Sequence, residues 1–248
     1  MTDDPYGDEQ LVTLYDLDNP PGDDHAYYRA LADQVGARKI VDLGCGTGVL
    51  TRALALALPG RTVIGVDPSP TMLGYARSRP GADAVTWIDG DAGALEPSAD
   101  VDLALSTGNA MMHVSPRAFP DVLGSLAATL RPGGTLSFET RNPAAREWER
   151  WTRDATYGER DTSFGHLREW LEVTDDRDSR VVFDAHNVFD DGRDAIYTSV
   201  LYFRTAEETT AALRAAGFAS IDIRGGWHGE PVTDASLELV VRAVRGPA

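Results

Sequence analysis

The chain has 248 residues, of which 42% are hydrophobic and 8% aromatic, enough to bury a core rather than stay disordered. It carries 23 Lys and Arg against 39 Asp and Glu, a formal net charge of −16. Because so acidic a surface repels phosphate backbones and anionic lipids, we expect a small-molecule partner, no nucleic acid and no membrane partner.

The cysteine content and the length of the apolar runs exclude further classes of protein. One cysteine cannot form an intrachain disulfide, and no Cys/His cluster has zinc spacing, so we expect no metal site. The first residues, MTDDPYGDEQ, lack the basic and apolar regions of a signal peptide. The apolar runs are far shorter than the ~20 residues of a membrane helix. We therefore expect a cytoplasmic protein.

The first half of the chain alternates short apolar runs with helical patterns. Residues 1–22 are polar and turn-rich, and a helix is predicted from Asp23 to Val35. Strands are then predicted at 39–43, 62–66, 84–88, 101–106 and 135–140, and helices at 47–58, 69–78 and 117–130. The near-continuous apolar runs and short loops are typical of a doubly wound parallel sheet.

After Thr140 the apolar period changes to two. Segments near 164–174, 180–189 and 195–204 predict three antiparallel strands, followed by a helix at 205–216 and strands at 220–224 and 237–244. We expect an α/β, Rossmann-like fold with an antiparallel β insertion in its C-terminal half. The expected units are a helical cap (1–37), the core (38–141), the insertion (142–204) and the core completion (205–248). The insertion is a candidate substrate cover, and its exposed strand edge suggests a homodimer.

The most informative stretch is the glycine loop, Val41-Asp42-Leu43-Gly44-Cys45-Gly46-Thr47-Gly48, between the first strand and its helix. Ligands bind at this end of open parallel sheets. The spacing is GxGxG, and Val49 stands where a dinucleotide fingerprint needs its third glycine. The carboxylate of Asp42 would oppose a pyrophosphate but suits an ammonium or sulfonium ion. The loop therefore favours a cationic nucleoside, and both features disfavour a nicotinamide oxidoreductase.

Two further carboxylates follow strand ends. Asp67 closes the second strand, where it can accept hydrogen bonds from both ribose hydroxyls; the alternative is a helix-capping Asp before Pro68. Asp91, in Asp89-Gly90-Asp91-Ala92, can accept from an adenine amine while the Ala92 N–H faces a ring nitrogen. A plain Asp-Gly turn is the alternative there.

In order and spacing, these residues resemble the five motifs of class I S-adenosylmethionine-dependent methyltransferases. The resemblance covers roughly residues 38–141 and is carried by Val41–Gly48, Asp67, Gly90–Ala92, Asp102–His113 and Leu130–Gly134. It implies a seven-stranded sheet with an antiparallel last strand, S-adenosylmethionine as cofactor and S-adenosylhomocysteine as product. A looser resemblance extends to bacterial small-molecule methyltransferases, which often dimerise through an added sheet.

The resemblance also implies roles for individual residues. Glycines and Asp42 would line the methionine part, Asp67 the ribose, and Asp91 with Ala92 the adenine, with Tyr15 (or else Tyr28) as an aromatic over the cofactor. The expected cofactor-binding residues are Tyr15, Asp42, Gly44, Cys45, Gly46, Thr47, Gly48, Asp67, Pro68, Ser69, Met72, Asp91, Ala92, Thr107 and Asn109.

The acceptor side carries weaker signals. Methyl transfer is an in-line displacement that relies on proximity and orientation, so a base is optional. His113 is the candidate base; a capping or surface histidine is the alternative. Candidate substrate-binding residues are Tyr28, Met112, Glu139, Arg141, His166, Trp170 and His186.

The acceptor is expected to be a small molecule with a nitrogen, oxygen or carbon centre. The competing hypothesis is a protein that binds S-adenosylmethionine without methyl transfer, either a regulatory module or an enzyme of another reaction.

Overall fold

The computed structural model describes residues 6–247; residues 1–5 of the expected cap and residue 248 of the expected core completion lie outside them. The helices are α1 (Glu9–Asp18), α2 (Asp23–Gln34), α3 (Val49–Ala57), α4 (Pro70–Arg77), α5 (Phe119–Thr129), α6 (Arg153–Thr156) and α7 (Ala206–Ala215). The strands are β1 (Lys39–Leu43), β2 (Thr62–Asp67), β3 (Val85–Asp89), β4 (Val101–Ser106), β5 (Leu130–Arg141), β6 (Gly158–Thr162), β7 (Gly165–Arg177), β8 (Arg180–Phe189), β9 (Asp194–Tyr202), β10 (Phe218–Arg224) and β11 (Glu238–Arg245).

The main sheet has seven strands in the order β10-β11-β5-β4-β1-β2-β3. Strand β11 runs antiparallel to both of its neighbours, and the remaining pairs are parallel. The expected Rossmann-like sheet with an antiparallel last strand is therefore confirmed. Because β1 pairs with β2 on one side and β4 on the other, the chain direction across the sheet reverses there, which opens a crevice at the carboxyl ends of these strands.

Apolar helix faces cover both sides of this sheet. On one side, Leu123 of α5 and Leu213 of α7 pack with Phe138 of β5. On the other, Tyr28 of α2 and Leu54 of α3 pack with the β1 side. Each fully buried aliphatic side chain contributes ~1.5–3 kcal/mol. This two-sided core fixes the strand ends that carry the site.

The insertion forms a four-stranded antiparallel sheet, β6-β7-β8-β9, one strand more than predicted. Strand β6 reads GERDT, which offers no apolar alternation, so its pairing with β7 had no sequence signal. Leu201 of β9 and Val181 of β8 pack with Met112 and Trp151, which attaches the insertion to the turn after β4.

Residues 9–18 form a helix inside the expected helical cap, in a segment where the sequence analysis saw only polar, turn-rich residues and placed no element. Asp8 caps α1 by accepting from the N–H groups of Gln10 and Leu11, and the helix buries Val12 and Leu14. The segment has apolar residues at 11, 12, 14, 15 and 17, but the helix buries only two of them, so tertiary packing rather than a clear apolar face decides the structure. Within residues 6–247, no helix combines the length and apolar character needed to span a membrane.

Candidate functional site

A cavity of about 820 Å³ lies at the carboxyl ends of the central strands, between α1, α4 and the insertion. This volume falls in the upper part of the ~300–1,000 Å³ range of ligand pockets. The cavity brings together eleven of the residues that the sequence singled out: Tyr15, Gly44, Gly46, Asp67, Pro68, Ser69, Met72, Asp91, Ala92, Thr107 and His113.

The glycine loop needs glycine for two different reasons. Gly44 and Gly48 have positive φ, and a Cβ there would lie 2.6 Å from Ala110 Cβ and 2.3 Å from the Trp87 ring respectively. Gly46 also has positive φ (+53°), but a Cβ there would meet no described atom within 4 Å. Gly46 lines the cavity, so its bare backbone leaves room for a ligand to approach.

Asp67 is fixed by the backbone around it. Its Oδ2 accepts from the Gly46 N–H at 2.7 Å and its Oδ1 from the Ser69 N–H at 2.9 Å. The residue is only 7% exposed, yet it lines the cavity. Each carboxylate oxygen can accept a further hydrogen bond, so the group is oriented and still able to bind hydroxyls.

Asp42 lies beneath the glycine loop rather than among the lining residues. Its Oδ2 accepts from the Thr51 hydroxyl at 2.6 Å, and its Oδ1 is buried without a hydrogen-bond partner among the described residues. Burial raises the pKa of Asp42 to about 6, the Thr51 hydrogen bond opposes this, and the nearby Asp67 charge adds to it. An orphaned carboxylate oxygen in this place fits a site that a positively charged ligand completes.

The other loop residues support the loop from behind. The Thr47 hydroxyl donates to Asp16 of α1 at 2.5 Å, which ties the loop to that helix. Burial raises the pKa of the Cys45 thiol well above its usual range, so it is not a reactive thiolate. Cys45, Thr47 and Gly48 are outside the cavity lining.

The loops after β2 and β3 build one end of the cavity. Asp91 Oδ1 accepts from the Gly93 N–H at 2.8 Å, while Ala92 is buried. Ser69 caps α4 by accepting from the Met72 N–H at 3.2 Å. This end offers one carboxylate and apolar walls, which suits a flat base with an exocyclic amine.

Another part of the cavity wall is aromatic. The Tyr6 and Tyr15 rings meet edge to face at 6.1 Å, and Tyr6 lies 6.3 Å from the His113 ring. Burial raises the pKa of Tyr15, with smaller contributions from the Asp67, Asp16 and Glu139 charges. His113 is at the rim, exposed on one side, and the protein atoms packed around it lower its pKa.

Several lining residues escaped the sequence analysis. Tyr6, Val200 and Tyr202 line the cavity but belong to no motif, and Ser106 and Met111 lie within the Asp102–His113 motif without having been chosen as site residues. Val200 and Tyr202 come from β9 of the insertion, so only the tertiary structure brings them to the crevice. The polar strand end Ser106-Thr107 was the one available signal, and only its second residue was chosen.

Arg204 holds the turn that carries His113. Its guanidinium donates to the carbonyl oxygens of Met111 (3.3 Å) and Val114, and it stacks on the Phe119 ring at 3.9 Å. Burial lowers the pKa of Arg204 to about 10. Sequence reasoning missed this arginine, which stands in an ordinary helix-start context before Thr205.

Four predicted residues lie behind the cavity wall. Tyr28 and Glu139 are buried and hydrogen-bonded to each other, and Asn109 donates its N–H to Glu139 at 2.8 Å. Met112 is buried in the cluster that joins the insertion to the core. These side chains are placed to support the wall.

The remaining predicted substrate residues lie away from the cavity. Arg141 pairs with Glu147 and lies over the Trp151 ring. His166 pairs with Asp161 at 2.9 Å, outside the cavity lining. Trp170 and His186 stack on each other at 4.5 Å, and His186 pairs with Asp194. The structure does not bring these four residues to the cavity.

Comparison with known proteins finds a family model that matches the part of the chain around the glycine loop. Residues 40–134 match the model of a methyltransferase domain. Over 124 residues the chain is 40% identical to the trans-aconitate 2-methyltransferase of Mycobacterium tuberculosis, covering 46% of this chain and 45% of that protein. The chain thus spans about half the length of the curated relatives it matches.

Solved structures extend the similarity of fold to nearly the whole chain. The CcbJ methyltransferase from Streptomyces caelestis has a TM-score of 0.77 at 21% identity, covering 100% of both chains. CalS10, an S-adenosylmethionine-bound amino pentose methyltransferase from Micromonospora echinaspora, has a TM-score of 0.66 at 23% identity, covering 92% of this chain and 93% of that chain. Residues 40–134, less than half of the chain, are thus similar to a methyltransferase domain, and the sheet order agrees with the class I resemblance of the sequence motifs.

Proposed function

We propose that this protein transfers a methyl group from S-adenosylmethionine to a small-molecule acceptor. The observation that carries the proposal is the single cavity that joins the glycine loop, Asp67 and Asp91 to an aromatic chamber under the insertion. Its volume of about 820 Å³ is large enough for a nucleoside and a second small molecule.

The residues present fit the cofactor. Asp67, held by two backbone N–H groups, would accept from the ribose hydroxyls. Asp91 and Ala92 would hold the adenine, and Gly44 and Gly46 would leave space for the methionine part. The negative charges of Asp67 and Asp42 favour a cationic ligand over a dinucleotide phosphate.

The chain contributes mainly orientation to the reaction. The bound cofactor supplies a methyl group activated by its sulfonium sulfur. The aromatic rings of Tyr6 and Tyr15 and the turn clamped by Arg204 would align the acceptor for in-line displacement and exclude water. Because its lowered pKa keeps His113 neutral near pH 7, a ring nitrogen is available to take a proton from the acceptor.

The chemistry of the lining supports an amine or hydroxyl acceptor. Within residues 6–247 the cavity wall has no Lys or Arg side chain, so a carboxylate acceptor would lack a cationic partner. The relative named for trans-aconitate and the neighbour named for an amino pentose represent the two choices. The aromatic, cation-free wall favours the second kind of chemistry.

The test combines binding with turnover. Calorimetry should detect S-adenosylmethionine and S-adenosylhomocysteine binding, and a panel of small amines, alcohols and carboxylates should yield S-adenosylhomocysteine with amines or alcohols. Binding without turnover across the panel would support the competing hypothesis of a non-methylating protein. Absence of binding, or preference for NAD, would overturn the proposal.

The expected homodimer and cytoplasmic location stay predictions. Among the described residues, strand β9 is an edge of the insertion sheet, and an edge strand is where a second copy could add a strand. Light scattering at micromolar concentration measures the oligomeric state directly.

A further inference from the structure

Glu139 is a buried acid that the proposed reaction leaves without a role. It stands near the end of β5 with 2% exposure and is not part of the cavity lining. A carboxylate removed from water is unfavourable unless its oxygens are hydrogen-bonded. Both oxygens of Glu139 are indeed used, by donors from two separate parts of the chain.

One of these donors belongs to the cavity wall. Glu139 Oε1 accepts from the Asn109 N–H at 2.8 Å. Gly108 and Asn109 both have positive φ, +66° and +61°, so these two residues lie outside regular secondary structure, directly before the Ala110–His113 turn. The next turn is closed by the Met112 N–H donating to the Asn109 carbonyl at 2.9 Å. The position of Asn109 therefore sets the start of the Ala110–His113 turn.

The other donor anchors the carboxylate to the core. The Tyr28 hydroxyl donates to Glu139 Oε2, and Tyr28 is fully buried on α2. Tyr28 also contacts Tyr27 and Trp227 edge to face at 5.2 and 5.8 Å. The carboxylate thus connects a buried aromatic cluster to the loop after β4.

We propose that Glu139 is a positioning residue: anchored by Tyr28, its carboxylate holds Asn109 and so fixes the Thr107–His113 segment at the cavity. This inference rests on the proposed function, because Thr107, Gly108, Ala110, Met111 and His113 are the wall that cofactor and acceptor would meet. The acid acts through the loop and does not touch the reacting atoms.

The surroundings make this device sensitive to pH. Burial raises the pKa of Glu139 to about 7, the Tyr28 and Asn109 hydrogen bonds oppose the rise, and Asp24 of α2 adds to it. Glu238 of β11 and Tyr15 of α1 also sense its charge, and Arg141 follows on the same strand face. Protonation weakens the charge-assisted bond to Asn109, so the loop should loosen as the pH falls below about 7.

The chain offers a matched control in Glu238. Burial raises the pKa of Glu238 to about 7 as well, and its Oε2 is buried without a hydrogen-bond partner in the described part of the chain. It stands on the neighbouring strand, two register positions from Glu139, and is not bonded to the loop. Glu238→Gln therefore makes the same chemical change without touching Asn109.

The experiment measures amide hydrogen exchange of the 107–113 segment in the free protein from pH 6 to 8, corrected for intrinsic rates. Glu139→Ala should reduce protection of Asn109 by roughly 10- to 150-fold, the loss of a hydrogen bond to a charged group. Glu139→Gln keeps an acceptor and should rescue part of the protection while removing its pH dependence. Tyr28→Phe should move the midpoint to higher pH, since the Tyr28 hydrogen bond lowers the Glu139 pKa.

The outcomes separate this inference from the proposed function. Loss of protection in the Glu139 variants with wild-type protection at pH 8 in Glu238→Gln supports it. Unchanged exchange in Glu139→Gln and Tyr28→Phe, or equal loss in Glu238→Gln, overturns it, even if Glu139→Ala fails to fold. Calorimetry with S-adenosylhomocysteine is run in parallel: failure of the wild type to bind would refute the proposed function and leave the exchange result standing.

Discussion

Asp67→Ala is the most direct test of how the cofactor is held. The structure gives this carboxylate two backbone partners, the Gly46 and Ser69 N–H groups, and an edge that lines the cavity. Hydrogen bonds to a charged group contribute ~1.5–3 kcal/mol, so loss of the ribose contacts should weaken S-adenosylhomocysteine binding by roughly 10- to 150-fold. Calorimetry at fixed pH and salt measures the change in Kd.

The truncation also leaves two backbone N–H groups without their acceptor, which should lower the melting temperature. Asp89→Ala is the control for the loss of one negative charge at a neighbouring strand end. Asp89 is the register partner of Asp67, is exposed and lies outside the cavity lining. Equal losses of affinity in both variants, or unchanged affinity in Asp67→Ala, would refute the assignment of Asp67 to the ribose.

Three further predictions concern His113, Gly48 and Glu238. His113→Gln should remove the acid limb of turnover for an acceptor that must lose a proton. Because burial lowers the His113 pKa, the wild-type acid limb should lie below the pH at which an ordinary histidine titrates, measured as S-adenosylhomocysteine formed. Identical pH–rate profiles of the wild type and the variant would show that His113 is not the base. Gly48→Ala should destabilise the fold by roughly 2–4 kcal/mol, because φ at Gly48 is +70° and Trp87 occupies the Cβ position. The control Gly74→Ala, at an exposed position on α4, should be neutral or stabilising. Thermal melting measures both variants. Because the pKa of Glu238 is raised to about 7 in the folded protein, the wild type loses folding stability as the pH rises from the unfolded-state pKa through about 7. Glu238→Gln should therefore raise the free energy of unfolding at pH 8 by up to about 3 kcal/mol and leave it unchanged at pH 4.5. Denaturant melts at both pH values measure this difference.

The sequence was sufficient for the parts of the fold that repeat a local pattern. Lys39–Leu43 and Val101–Ser106 are β-branched or apolar runs with turn residues after them, and the structure has both strands at the predicted bounds. The glycine loop was predictable for the same reason, since GxGxG after a strand is a local backbone requirement. Asp67 followed from it, because the neighbouring strand end must lie beside the loop.

The missed elements lack such patterns. Helix α1 buries only Val12 and Leu14, and ion pairs to the insertion, such as Arg193 with Asp8 at 2.6 Å and Arg160 with Asp18 at 2.5 Å, fasten it from outside. Such contacts join residues that are more than a hundred positions apart. The hydrophobic pattern of neither segment indicates these ion pairs.

The same distinction explains the mixed result on the acceptor side. Glu139 was correctly noticed as a carboxylate at a strand end, but its direction was set by Tyr28 and Asn109, which three separate elements bring together. A buried acid can face a ligand or hold the wall that does, and only its hydrogen-bond partners distinguish these roles. Here both oxygens are taken by the protein, so variation at Glu139 should alter the geometry of the cavity rather than its recognition of a charged acceptor. Acceptor specificity should instead follow the aromatic residues Tyr6 and Tyr202, which line the cavity directly.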